Sequence, residues 1–352
     1  MTAPVRKTVF VVGAGASKEV RLPVGAELKD RIAQVLDIYF EHGLIARGDQ
    51  LLVDALRVAS SKNGSRDLNP LLYAGWAIRD AMPLATSIDA FVESRHGNKE
   101  IELCGKLAIV RTILEGEASS SLYVDDYRRT DARIDFKRLS DTWFGGLMNL
   151  ITQRCPVDQV KERLSSLALI IFNYDRCVEH FLFNSLQIYF GIGAGEVASL
   201  LSNLEIHHPY GVVGQLPWAS SGSGIRYGTL PSAHQIVALA GGIKTFSEGT
   251  DAASSDIETI RDRIRYARQL VFMGFAFHPM NLDLLFDAER AADSSFGRST
   301  FATAFQMSES NIASISAELR ARAPYASGPI QIRNMKCGEL LQEFSRSIAL
   351  VP

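Results

Sequence analysis

The run Thr8-Val9-Phe10-Val11-Val12-Gly13-Ala14-Gly15-Ala16-Ser17 passes from β-branched and aromatic residues straight into a glycine turn. Val9 to Val12 show no polar alternation, the pattern of a strand buried on both faces. Gly13 and Gly15 let the backbone turn sharply and approach a bulky neighbour closely. Leu28, Ile32, Leu36 and Phe40 then repeat at helical spacing. Strand, glycine turn and helix is the arrangement with which α/β proteins hold nucleotide phosphates. A hydride-transfer dinucleotide site would want a third glycine where Lys18 stands. It would also want an acidic residue at the end of a second strand about twenty residues on. Asp30 and Asp37 fall inside the predicted helix instead, and Leu22-Pro23-Val24-Gly25 forms a rigid insertion before it. A nucleotide site is expected and a dehydrogenase disfavoured, with a plain tight turn between buried elements as the alternative.

The 352 residues are 47% hydrophobic and 22% charged, which is ordinary for a globular chain of one large or two modest domains. A net charge of -2 leaves no electrostatic footprint for nucleic acid. No apolar run approaches the roughly 20 residues of a membrane span, so no membrane association is expected. The short N-terminus leads directly into the first strand without a signal sequence. Cys104, Cys155, Cys177 and Cys337 are scattered, with no Cys-x-x-Cys pair. That argues against a structural zinc, predicts no metal, and suits reduced thiols packed in the core of a cytoplasmic protein.

Buried-strand patterns cluster at the two ends of the chain. They return at Ala168–Phe172, Leu204–His207, Gln269–Met273, Thr300–Phe305 and Ile330–Ile332, each near a helical pattern. From about Asp49 to Lys161 helical patterns dominate: Ser87 can cap a helix through Glu93, Leu103–Leu114 is apolar at helical spacing, and Trp143, Leu147, Leu150 and Ile151 form a stripe. Polar breaks fall near Ser60–Asn69 and Asp125–Asp135, and Ala219–Gly228 reads as a mobile loop. The fold class predicted is α/β: a Rossmann-like parallel sheet with helices on both faces. Residues 1–45 and 165–352 form that domain, and 46–164 a helical insertion.

Four of the strands end in marked motifs. These are Gly-Ala-Gly-Ala-Ser at 13–17, Asn-Tyr-Asp at 173–175, His-Pro-Tyr-Gly at 208–211 and Gly-Phe-Ala-Phe-His at 274–278. In an open parallel sheet, ligands bind outside the carboxyl ends of the strands, so four such ends point to one cleft. Together with Leu22-Pro23-Val24-Gly25, and with Glu179 one helical turn after Asn-Tyr-Asp, they resemble the sirtuin-like proteins of bacterial antiphage defence systems. The resemblance covers about half the chain, at its two ends. It implies a sirtuin-like NAD-binding Rossmann fold and hydrolysis of NAD as substrate. It further implies assembly as a homo-oligomer or with a defence partner protein. By the same resemblance Gly13, Ala14, Gly15 and Ser17 face the pyrophosphate, with Pro23 and Gly211 also at the cofactor. Asn173 holds the nicotinamide ribose and the attacking water, Asp175 holds a ribose hydroxyl or fixes the loop, and Gly274 and Phe275 lie near the adenosine half.

The chain departs from the family at the base. Sirtuin-like chemistry uses His-Gly at the third strand end, and here Tyr210 precedes Gly211. With an ordinary pKa of about 10, a tyrosine is a poor base at neutral pH. His208 lies on the same side as Tyr210 if the chain stays extended, and becomes the candidate base; a hydrogen-bonded strand terminus is the alternative. A general base contributes about 10²–10⁴ in rate, so the change bears on turnover more than on binding. Asp89 and Glu93 read as a solvated helix face rather than cleft residues, and Lys106 pairs with Glu102 on the surface. His278 reads as a cap or a ligand contact, and Trp218 as packing. The expected function is an NAD glycohydrolase. A non-cleaving sensor of NAD or ADP-ribose is the alternative, and a protein deacylase ranks below both.

Overall fold

The computed structural model describes residues 6–62, 64, 66–125, 133–220, 222, 224–251, 256–286 and 296–350. Most of the polar break expected at 125–135 falls outside these residues, as do parts of those at 60–69 and 219–228. Six parallel strands make the central sheet: β1 (Thr8–Val12), β2 (Leu167–Ile171), β3 (Glu205–His207), β4 (Gln269–Met273), β5 (Ser299–Thr303) and β6 (Ile330–Arg333). Their spatial order is β6-β5-β4-β1-β2-β3. The chain therefore builds outward from β1 on one side, crosses back, and builds outward on the other. This is the order of a Rossmann-like sheet, and the reversal point lies between β1 and β4.

Among the described residues eight α-helices lie between β1 and β2: α1 (Ala14–Ser17), α2 (Ala26–Leu36), α3 (Gln50–Lys62), α4 (Asn69–Ala81), α5 (Ile88–Ser94), α6 (Lys99–Ser119), α7 (Trp143–Thr152) and α8 (Val160–Ser165). Then come α9 (Cys177–Phe190) and α10 (Ala194–Leu201), and before β4 α11 (Ala233–Ala240), α12 (Phe246–Thr250) and α13 (Ile257–Arg265). The last are α14 (Pro279–Leu285), α15 (Glu309–Arg322) and α16 (Cys337–Glu343). Ser87 caps α5 as its sequence predicts, its Oγ accepting from Ala90 N at 3.0 Å.

Every residue of β1 and β2 is buried, and the strand period of two feeds two cores. Val9, Val11, Ala168, Ile170, Leu270 and Phe272 pack with α2–α6, α11 and α13–α15. Phe10, Val12, Leu169, Ile171, Val271 and Met273 pack with α7–α10 and α16. The helical insertion thus shares its core with the sheet and is split across both faces. One helix prediction needs correction at its end. α2 stops at Leu36, because Asp37 leaves helical geometry (φ -77°, ψ 63°), and Phe40 sits in a short hairpin of Tyr39–Glu41 against Leu44–Arg47. Among the described residues no helix is long and apolar enough to cross a membrane.

Candidate active site

The strand ends meet at one level. Val12 is paired with Ile171 on one side and Met273 on the other, and His207 with Ile170. The residues that follow, at 13, 172, 208 and 274, therefore leave the sheet together, as their motifs predict.

The β1 turn closes on β4. Gly13 N donates to Met273 O at 2.9 Å and Gly15 N to Gly274 O at 3.0 Å. A Cβ on Gly13 would lie 2.6 Å from Gly274 O, and one on Gly274, at φ 57°, would lie 2.1 Å from Ala16 N. The glycines let two backbones touch across the reversal point of the sheet, and the Gly13 and Gly15 amides expected to face a pyrophosphate are engaged there. Ala14, at the start of α1, is exposed and Ser17 is buried. Gly274 N is also held by Thr303 Oγ1 at the end of β5, at 2.7 Å. Pro23 is buried against α6, where a Cβ on Gly116 would meet its Cδ at 2.8 Å, and Gly211 packs on Gly242.

Past β2 the chain bends over residues 173–175, and its side chains divide between two sides. Asn173 and Asp175 turn to one side. Asn173 Nδ2 donates to Ser17 Oγ at 2.7 Å, and Ser17 Oγ donates to Asp175 Oδ2 at 2.8 Å. Asp175 Oδ1 accepts from Cys177 N at 3.1 Å, fixing the start of α9. Burial raises the Asp175 carboxyl above its ordinary value, against the hydrogen bonds from Cys177 and Ser17. Asn173 Oδ1 is buried without a hydrogen-bond partner, as is Glu179 Oε2. A buried acceptor left without a donor costs about 1–3 kcal/mol, so both oxygens invite a ligand or water.

His208 joins this side. Its Nδ1 lies 3.1 Å from the Asn173 carbonyl oxygen and its Nε2 2.8 Å from Glu179 Oε1. Both neighbours are acceptors, an environment that favours a ring protonated on both nitrogens. Burial would lower its pKa, but the Glu179 carboxylate and the Asn173 carbonyl outweigh burial and raise it. His208 therefore holds its proton firmly and is poorly placed to accept another. It also parts from Tyr210, because Gly211 N donates to His208 O at 2.9 Å with Gly211 at φ 76°. That turn ends the extended chain that would have put the two side chains on one side.

The other side is aromatic. Phe172 packs edge-on against Tyr210 and Phe275, with centroids 5.7 and 5.1 Å apart, and Phe275 against Phe277 at 5.2 Å. Tyr210 Oη donates to Asn281 Oδ1 at 2.6 Å, and burial pushes its pKa up, with Asp89 and Glu93 adding to the shift. Tyr174 Oη donates to Asp89 Oδ1. This corrects the reading of Asp89 as a solvated helix face: α5 turns it inward, and burial raises its carboxyl. Glu93, half-buried, accepts from Ser247 Oγ at 2.6 Å. Lys106 does reach Glu102, at 2.7 Å, and also Glu248 on α12. His278 is exposed and stands at the N-terminus of α14.

Sequence reading missed the brace beneath the site. Glu117 of α6 is fully buried. Its Oε1 accepts from Arg176 N (3.1 Å) and Nε (3.0 Å), and its Oε2 from Arg176 Nη2 and Gly228 N (3.2 Å). Arg176 Nη1 donates to Ile225 O at 2.6 Å, which pins part of the stretch expected to be a mobile loop. A signal was present: Glu117 continues the buried stripe of Val110, Ile113 and Leu114, where a lone carboxylate demands a partner. A cavity of about 530 Å³ lies elsewhere, along α9. Stacked pairs His180–Tyr227 and Phe183–Trp218 line it, so Trp218 does pack, and the strand-end residues do not reach it. All four cysteines are buried thiols, and among the described residues no cluster of three or more His, Cys, Asp or Glu could hold a metal. No protein-family model matches the chain, and no curated protein matches it.

Proposed function

We propose that the protein is an NAD glycohydrolase with a sirtuin-like cleft, releasing nicotinamide and ADP-ribose. The observation that carries this reading is the Ser17–Asn173–Asp175 chain at the ends of β1 and β2, with Asn173 Oδ1 buried and open to a donor. A carboxamide oxygen in that position suits a ribose hydroxyl or a water poised at the glycosidic carbon. Ala14 at the start of α1 is exposed and open to a pyrophosphate. Leaving of nicotinamide builds positive charge on the ribose, which the buried Asp175 carboxyl stabilises if ionised. A role as a toxic effector of antiphage defence, held off until assembly or a partner releases it, follows from the sequence resemblance.

The engaged state of His208 and Tyr210 favours a second reading, a sensor that binds NAD or ADP-ribose without cleaving it. One experiment separates them. Full-length protein, at concentrations that permit self-assembly, is incubated with NAD, and products are resolved by chromatography beside Asn173→Ala. Nicotinamide and ADP-ribose from the wild type, with loss of at least a hundredfold in the variant, support hydrolysis. Saturable NAD binding with no product supports the sensor. Neither binding nor product refutes both.

A further inference from the structure

We propose that Glu179 is the general base of the cleft, taking the proton of a water held between its Oε2 and Asn173 Oδ1. The inference rests on the hydrolytic reading above. His208 lies between the two residues, one ring nitrogen on the Asn173 backbone carbonyl and the other on Glu179 Oε1. That ring ties the Glu179 carboxylate to the strand end that carries Asn173. It leaves two buried acceptors without a protein donor, Glu179 Oε2 and the Asn173 side-chain oxygen. Water carries two hydrogens and can serve both. The other carboxylate at this end, Asp175, has one oxygen on Ser17 and the other on Cys177 N, so neither is open in the same way. The charged and titratable groups facing Glu179 are His208, Arg176 and Asp175.

The step balances without any further reactant. The carbon–nitrogen bond to nicotinamide breaks, and its electron pair leaves on the neutral pyridine. The water oxygen bonds to the ribose carbon, and its proton passes to Glu179 Oε2. The histidine of the usual sirtuin-like pattern is then not required as a base. His208 serves by positioning the carboxylate.

The test uses full-length wild type, Glu179→Gln and Glu179→Ala. Glutamine keeps an oxygen for His208 and removes only the basic site. We expect kcat to fall about 10²–10⁴-fold with KM for NAD changed less than about threefold, and the acid limb of the pH profile to vanish. Azide attacks without needing a base, so it should restore turnover of Glu179→Ala and yield ADP-ribosyl azide. A Glu179→Gln kcat within about tenfold of wild type overturns the proposal, as does an Ala variant that binds NAD yet gains nothing from azide. If glutamine prevents folding, the azide result with Glu179→Ala decides. A wild type that binds NAD but releases no nicotinamide overturns the hydrolytic reading and this proposal together. An active wild type with an active glutamine variant overturns this proposal alone.

Discussion

Replacing Glu117 by glutamine removes one charge from a pair that has no access to water. The Arg176 side chain is 2% exposed and that of Glu117 0%. Four N–H groups converge on the two Glu117 oxygens: three from Arg176 and one from Gly228. Glutamine has nearly the same shape but a single acceptor oxygen, so one edge must turn an amide NH₂ toward two N–H donors. The guanidinium also loses its counter-charge. Removing one partner of a buried pair costs about 3–5 kcal/mol. Set against a total stability of about 5–15 kcal/mol, that is a large share. At about 1.4 kcal/mol per tenfold, the unfolded fraction should rise roughly a hundredfold to a few thousandfold. Urea unfolding followed by tryptophan fluorescence and far-ultraviolet circular dichroism measures it, and the midpoint should fall with little change of slope. Glu117→Met combined with Arg176→Met should recover most of the loss, because packed apolar side chains often replace a buried ion pair at little cost. A loss below about 1 kcal/mol for Glu117→Gln would refute the reasoning, since it would mean that the two donors at one edge find other acceptors.

The raised pKa of His208 predicts a pH dependence of stability. Its contribution is fully present below the unfolded value of about 6.5 and is lost as pH rises through the folded value, so His208→Asn should flatten the stability curve above about pH 6.5; equal slopes for both proteins there would count against the imidazolium. Glu19 accepts from Trp143 N at 2.7 Å and Gly338 N at 3.0 Å, capping α7 and α16 with one carboxylate. At about 1 kcal/mol per cap, Glu19→Ala should lose about 2 kcal/mol in urea unfolding, and a loss under about 0.5 would show the caps to be dispensable. Gly274→Ala should cost more than about 3 kcal/mol or prevent folding, because its Cβ meets backbone that cannot swing away. Gly193→Ala is the control: nothing lies within 4 Å of its Cβ, and its stability should match wild type within about 1 kcal/mol; similar behaviour of the two variants would sink the close-approach argument.

The sheet was legible because its strands are buried on both faces. Val9–Val12, Leu167–Ile171 and Leu270–Met273 are apolar at every position, and their short, β-branched runs mark them as strands buried on both faces. The convergence of the strand ends followed from the parallel sheet itself. What local pattern could not show was the partner across a gap. Asp89 reads as a polar position on a helix, and only the return of Tyr174, 85 positions later, gives its carboxylate a partner. Glu117 and Arg176 are separated by 59 positions. The glycine turn shows a close approach that its sequence implies, with a partner that its sequence does not name. Close backbone approach was required, yet what approaches is Gly274 as well as any ligand. Phe40 failed for a local reason: four-residue spacing holds for an amphipathic helix whether or not its last member is still helical, and Asp37 decides that.

The division of side chains past β2 also explains why a tyrosine can stand at position 210. Since Phe172 and Tyr174 face one side and Asn173 and Asp175 the other, any group that closes against Phe172 is separated from Asn173 by the strand itself. Tyr210 closes there, with its ring on Phe172 and its hydroxyl on Asn281. A histidine in its place would meet the same aromatic wall and would need the 208–211 turn to open before it reached the Asn173 side. Under the proposed hydrolytic reading, proton chemistry on that side falls to α9, whose first turn is aligned by Asp175 on Cys177 N and anchored by Arg176 on Glu117. One turn along stands Glu179, already tied to the Asn173 strand end through His208. Under the hydrolytic reading proposed above, Tyr210 in place of the histidine of the sirtuin-like pattern moves the base to the neighbouring helix, and Glu117 of the insertion helps to hold it there.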